Sequence, residues 1–198
     1  EQDKRIIPDY IDVNGSIPNL FYSAIAQNGA GKYLTYLDSD DWWDEDYLEK
    51  LVPFAEDNNL DLALTGAVQY FQQEGRSSVM RQWDEPLLMT ADGFARNFPV
   101  IGAFAGALWA SLRPMEKVLA MNGDEKDVEL WRRGLTWRVD TLMMLNYADH
   151  CQRIGINQYA PYHYRRFAGS LSRRYTDTYF KSNLYFYQRL EEYFRNNG

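Results

Sequence analysis

Residues 33–44, Tyr33-Leu34-Thr35-Tyr36-Leu37-Asp38-Ser39-Asp40-Asp41-Trp42-Trp43-Asp44, join a compact apolar run to an abrupt block of acids. A compact, largely apolar run of five residues that stops at a polar cluster reads as a buried strand delivering carboxylates at its C-terminal end. Beyond them, Leu48, Leu51, Val52 and Phe54 fall on one stripe of a helix over residues 46–58, for which Asp44 or Asp46 is the candidate cap. Three carboxylates in four residues repel one another, so something positive must compensate them. A divalent cation is the simplest candidate. Oxygen ligands without His or Cys select a hard ion, Mn²⁺ or Mg²⁺, and such ions keep waters and share phosphate oxygens of a substrate. That chemistry points to a nucleoside diphosphate. The plainer alternative is a solvated acidic turn that caps the following helix.

Working outward, a strand is expected over residues 4–13, followed by the turn Asn14-Gly15-Ser16 and a helix over 19–28 closed by Gly29-Ala30-Gly31. Downstream, strands are expected over 60–71, 77–83 and 156–163. Helices are expected over 90–98, 117–121, 128–133, 140–154 (amphipathic) and 178–196. Strands alternating with helices predict an α/β fold, a mainly parallel sheet flanked by helices. Its 198 residues suit one domain, 1–198, closed by the helix over 178–196.

A net charge of −7 argues against a nucleic-acid partner, which needs a basic face. The local exception is the cluster Arg165, Arg166, Arg173 and Arg174, which could meet phosphates or an anionic membrane. The single Cys151 excludes an internal disulfide framework and a Cys-rich zinc site, and reads as a small buried hydrophobe. With only His150 and His163 there is no histidine metal triad. No apolar run is long enough to cross a bilayer and no G-x-x-x-x-G-K-[ST] loop occurs. The 15 Tyr, 10 Phe and 6 Trp fit both core packing and stacking on ring-shaped ligands. Tyr185, Phe186, Tyr187, Tyr193 and Phe194 give the last helix more apolar surface than one buried face needs, which suggests a partner contact.

The segment YLTYLDSDDWWDEDYLEKLV resembles the metal-binding segment of the family-2 inverting glycosyltransferases, which share the GT-A fold. In that family a strand ends in Asp-x-Asp, here Asp38 and Asp40, followed by a further Asp, a Trp and a helix entered through an acidic turn. Asn14-Gly15 and the helix ending at Gly31 resemble the family's upstream elements, but Phe21, Tyr22 and Ser23 stand near its usual Arg-Asn pair. Ala107-Leu108-Trp109 resembles the tryptophan segment near the acceptor site. Val139-Asp140-Thr141 stands where the family has a Glu-Asp pair, and only the Asp is kept. The motif Tyr162-His163-Tyr164-Arg165 and then Ser170-Leu171-Ser172 follow at close to the family's distance. Only 37 residues precede Asp38, where about two base-binding βα units are usual. Either the natural protein is longer or it lacks an ordinary base pocket; the first is expected.

The resemblance implies transfer of a sugar from a nucleotide-diphosphate donor, most commonly a UDP-sugar, to a hydroxyl of a carbohydrate or other acceptor with inversion, in surface polysaccharide synthesis. It implies Asp140 as catalytic base, Asp38 and Asp40 as metal ligands, and Asp38, Ser39, Asp40 and Arg165 as contacts to the sugar nucleotide. Asp41, Trp42, Trp109 and His163 are weaker substrate candidates. For Asp140 a helix N-cap, for the tryptophans core packing, and for His163 a strand position are the plainer roles. The implied location is cytoplasmic, peripheral at the inner membrane face, with a homo-oligomer contact open. Two alternatives stand: an inactive sugar-nucleotide-binding scaffold of the same fold, and a metal-dependent phosphohydrolase using the same aspartates.

Overall fold

A computed structural model describes residues 3–8, 25, 28–105, 109–121, 124–135, 137–168 and 176–197. Most of the expected helix over 19–28 lies outside them, as do Asn14-Gly15-Ser16, Ala107-Leu108, Ser170-Leu171-Ser172, Arg173 and Arg174. Of the strand expected over 4–13, residues 4–8 form a turn and irregular chain instead, with Ile6 N–H donating to the Asp3 carbonyl at 3.0 Å.

The strand expected at the head of the acidic block is β1 (Tyr33–Thr35); Tyr36 and Leu37 carry the chain out of the sheet to the acids. A two-residue strand, β2 (Trp42–Trp43), and helix α1 (Tyr47–Asp57) follow. Then come β3 (Leu62–Leu64), β4 (Ala67–Phe71), β5 (Arg76–Arg81) and β6 (Leu87–Thr90), the last not anticipated. Helix α2 (Ala91–Ala105) runs past the expected residue 98. The rest is β7 (Ser111–Pro114), α3 (Met115–Ala120), α4 (Glu125–Arg132), α5 (Val139–Ala148), β8 (Arg153–Ile156), β9 (Tyr162–Arg166) and α6 (Tyr179–Asn197).

Among the described residues the strands form two sheets, ordered β1-β7-β3-β8-β6 and β2-β9-β4-β5. Only β3/β8 and β4/β9 pair in parallel, so the sheets are mixed and the expectation of a mainly parallel sheet is corrected. The expected strand over 60–71 divides because the chain changes sheet at Thr65-Gly66. Gly66 N–H and the Thr65 hydroxyl both donate to the Tyr159 carbonyl, at 2.8 and 2.9 Å. A Cβ on Gly66 would lie 2.5 Å from the Arg81 carbonyl oxygen and 2.8 Å from that of Tyr159, so only glycine lets three backbones meet there. The strand expected over 156–163 is corrected alongside it: residues 157–161 are the connection between β8, which ends at Ile156, and β9, which begins at Tyr162. The two parallel pairs are one pair of chain segments passing together from the first sheet into the second.

Alternation along β3 separates two cores. Leu62 and Leu64 face a large cluster with Ile154, Ile156, α2, α5 and α6, while Ala63 faces a smaller one with Tyr47, Leu51, Trp109 and Tyr162. Helix α5 is buried from Thr141 to Ala148, which corrects the amphipathic expectation: a helix with neighbours on every side needs no polar face. It also ends at Ala148 rather than near 154, and Cys151, buried as a small hydrophobe, leads into β8. Buried Arg189 of α6 donates to Asn146 Oδ1 at 3.0 Å and Asp149 Oδ2 at 3.1 Å. Asn146 in turn donates to Asp127 Oδ1 at 2.6 Å, so a buried polar network fixes α5 against α4 and α6.

Candidate active site

The four acids of the block after β1 have different surroundings. Asp41 is anchored: its Oδ2 accepts from the Tyr162 hydroxyl at 2.7 Å and its Oδ1 from the Arg165 backbone N–H at 2.8 Å. The Tyr162 oxygen in turn lies 3.5 Å from the Asp38 amide, so β9 holds the acidic loop at both ends. Asp38 is half-buried, and its carboxyl is pushed up to about 6 by burial first, then by the charges of Asp41, Asp40 and Asp140; a hydrogen bond from Tyr36 opposes this. Ser39 and Asp40 are exposed. Asp44 receives a 2.6 Å hydrogen bond contact from His163 Nε2 on β9.

Asp140 lies in the first turn of α5, where the backbone dipole favours a carboxylate. The N-cap is Arg138, in a left-handed conformation at φ 58°, so Asp140 is not the cap. Burial raises the Asp140 carboxyl, against hydrogen bonds from Thr141 and the charge of Arg81. Arg81, at the end of β5, is a site residue that sequence reasoning missed. It is 5% exposed, its guanidinium carbon lies 4.2 Å from the Trp109 ring centre, and burial lowers it to about 9 while the Asp140 charge opposes that. Asp140 therefore links the acidic loop, whose Asp38 feels its charge, to a cavity of about 770 Å³ lined by Asp140, Arg81, Trp109, Tyr164, Arg166 and Arg138 among others.

The alternation of β9 decides which of the expected residues reach this cavity. Tyr162 and Tyr164 point to the Trp109 side, with ring centres 4.4 and 5.6 Å from it. His163 and Arg165 point to the other face. There Trp42 stacks on His163 at 4.9 Å, and the Arg165 guanidinium lies 5.2 Å from the Trp42 ring. Arg165 thus meets the acidic loop through its backbone N–H, and it is the next residue, Arg166, whose side chain lines the cavity. Trp43 stacks on Tyr47 at 4.4 Å against the smaller core. The alternation of β9 thus puts Tyr164 and Arg166 on the cavity and His163 and Arg165 on the outer face with Trp42.

Among the described residues no three His, Cys, Asp or Glu side chains converge as a closed metal cage. The donor set nevertheless suits a hard divalent ion held partly by a ligand's phosphates. Asp40 is exposed, and Asp38 sits among like charges that a cation would relieve; Asp41 is already committed to two donors.

Mixed sheets flanked by helices, with an acidic loop after β1 and a half-buried carboxylate at the start of α5, define a GT-A-like domain. Residues 22–119 match the family model for glycosyl transferase family 2, and the chain belongs to that family. No curated protein sequence matches it. Among solved structures, S. aureus TarS 1–349 in complex with UDP-GlcNAc shares the fold with a TM-score of 0.55 at 18% identity, over 78% of this chain and 40% of that one. S. aureus TarS 1–349 without that ligand gives 0.56 at 17% identity, over 78% and 42%. The chain thus spans well under half the length of these structures. Among the described residues no helix is long and apolar enough to cross a membrane.

Proposed function

We propose that this chain carries the catalytic part of a metal-dependent glycosyltransferase. It moves a sugar from a UDP-sugar to a hydroxyl of a carbohydrate acceptor, with inversion at the anomeric carbon, in surface polysaccharide synthesis. The observation that carries the reading is the placement of Asp140: half-buried in the first turn of α5, lining the cavity together with buried Arg81, and with its charge felt by Asp38. The UDP-GlcNAc bound to S. aureus TarS, whose fold this chain shares, supports the donor class. Family membership leaves the phosphohydrolase alternative without support.

In this reading Asp38 and Asp40 hold Mn²⁺ or Mg²⁺ together with the donor diphosphate. Bound there, the cation supplies charge neutralisation for the departing diphosphate. An acceptor hydroxyl in the cavity forms the new bond to the anomeric carbon as the bond from that carbon to the phosphate oxygen breaks. Its proton passes to Asp140, and UDP leaves. Burial raises the proton affinity of Asp140, which favours acceptance of a proton, and the charge of Arg81 acts against that rise. Tyr162 and the Arg165 backbone hold the acidic loop through Asp41.

Calorimetric titration with UDP, with and without Mn²⁺, tests the donor site. Binding that needs Mn²⁺ and disappears in Asp40→Ala is expected. Equal UDP binding in that variant, or none in the parent, would remove the reading.

A further inference from the structure

The cavity beside Asp140 has a charge opposite to that of the protein as a whole. Although the chain carries a net −7, the charged residues lining the cavity are three arginines, Arg81, Arg138 and Arg166, and one carboxylate, Asp140. The Asp140 charge acts on Arg81. Among the described residues neither Arg138 nor Arg166 has a carboxylate within ion-pair distance. Arg138 Nε donates to the Asn183 side-chain oxygen at 3.0 Å and its guanidinium lies 4.6 Å from the Phe186 ring centre; that of Arg166 lies 5.8 Å from Phe71. Aromatic rings position both guanidiniums and leave their charges uncompensated. Arg138 is moreover held at φ 58°, a conformation that costs a non-glycine residue energy and persists where the surroundings require it.

The remaining walls suit a ring. Trp109, Trp137 and Tyr164 line the same cavity; Trp109 is buried with Arg81 and Tyr164 against its ring, and the half-buried Trp137 and Tyr164 supply the apolar ring surface that a bound sugar can meet. We infer that the cavity takes an acceptor sugar bearing a fixed anionic group, a phosphate or a carboxylate, which Arg138 and Arg166 recognise while the aromatic walls hold the ring. This rests on the reading of Asp140 as the base and adds the acceptor's charge to it. The arginines are assigned to the acceptor rather than to the donor diphosphate because the lining includes Asp140 but none of Asp38, Ser39, Asp40 or Asp41. Guanidinium forks match both oxyanions, so the two sources are separated by experiment.

Glucose 6-phosphate, glucuronate and glucose are titrated against the chain by ligand-observed NMR, without nucleotide and again with saturating UDP and Mn²⁺. We expect a charged sugar to bind about tenfold or more tighter than glucose, with the advantage lost on raising the ionic strength. Which of the two leads identifies phosphate or carboxylate as the recognised group. An Arg138→Gln, Arg166→Gln double variant, checked for folding by its thermal melt, should bind all three alike. Because the salt dependence of the parent chain reads the same charge effect, a misfolded variant does not rescue the idea. Equal binding of glucose and the charged sugars overturns it, and so does displacement of the charged sugar by UDP and Mn²⁺, which would give the arginines to the donor. Failure of UDP to bind would instead refute the donor reading, and the nucleotide-free titration decides the charge selectivity by itself.

Discussion

Replacing Asp38 with Asn should make the metal-free protein more stable at pH 7 while abolishing metal-dependent UDP binding. The folded-state carboxyl is raised to about 6, chiefly by burial, from 3.8. A carboxyl raised in this way binds its proton more tightly in the folded chain than in the unfolded one, so stability falls as pH rises from about 4 to about 6 and the loss is complete above that window. At 1.36 kcal/mol per pH unit the full displacement corresponds to about 3 kcal/mol. Asp38 is only half-buried, and screening by water reduces the figure to about 1 kcal/mol. Asn has the same shape and no charge, so Asp38→Asn should recover that ~1 kcal/mol at pH 7 and nothing at pH 4. Urea denaturation at both pH values, in EDTA, measures it. In the parent chain Mn²⁺ with UDP should raise the midpoint, and binding should weaken about tenfold from pH 7 to pH 5 as Asp38 becomes protonated. A variant destabilised at pH 7, or one that keeps Mn²⁺-dependent UDP binding, would refute the claim that Asp38 is a strained ligand.

Asp140→Asn should leave UDP binding unchanged and lower sugar transfer by roughly 10²–10⁴, measured by UDP release with acceptor present; unchanged turnover would exclude it as the base. Tyr162→Phe removes the donor to Asp41, and a loss of about 1–3 kcal/mol in denaturant unfolding, with weaker UDP binding, is expected. Unaltered stability would mean that the Tyr162–Asp41 bond does not hold the loop. Gly66→Ala should cost more than about 1–3 kcal/mol, since its Cβ has nowhere to go between the Arg81 and Tyr159 carbonyls, and a melt indistinguishable from the parent would contradict that packing.

What was legible in the sequence was local. Tyr33–Thr35 form a strand two residues short of the acids, and the stripe through Leu51 announces α1, although the face it buries is Tyr47, Leu51 and Ala55 and leaves Leu48 exposed; burial of one helix face leaves a period in the chain. Pairing direction leaves no such mark, and β3 and β4 read as one strand because only their partners, β7 and β9, lie in different sheets. Arg81 was hidden for a sharper reason. In β5 the apolar Val79 and Met80 are 59% and 45% exposed while Arg81 is buried, the reverse of what residue type suggests. A register irregularity between Ala67 and Val68 on β4 lies opposite that point. Such a bulge redirects side chains and is set by the partner strand rather than by the residues it turns. Arg166 could have been separated from Arg165 by counting alternation along β9 from Tyr162, had its strand bounds been known.

The acids of the site illustrate what a motif leaves undetermined. Asp38, Asp40, Asp41 and Asp140 are chemically identical, and only their neighbours distinguish them. Asp41 has its two oxygens on two donors of β9, so its charge is spent on holding the loop. Asp38 gains burial and like charges, with Tyr36 as its opposing donor, so its ionised form is left wanting a cation. Asp140 lines the cavity with buried Arg81, whose charge acts against the rise in proton affinity that burial brings. Exposed Asp40 can turn towards whatever cation Asp38 attracts. One acid therefore positions the loop, two can share a metal, and one can accept a proton. The division follows from where β9, β5 and α5 place their donors, and moving any of those donors would reassign the roles without changing the motif.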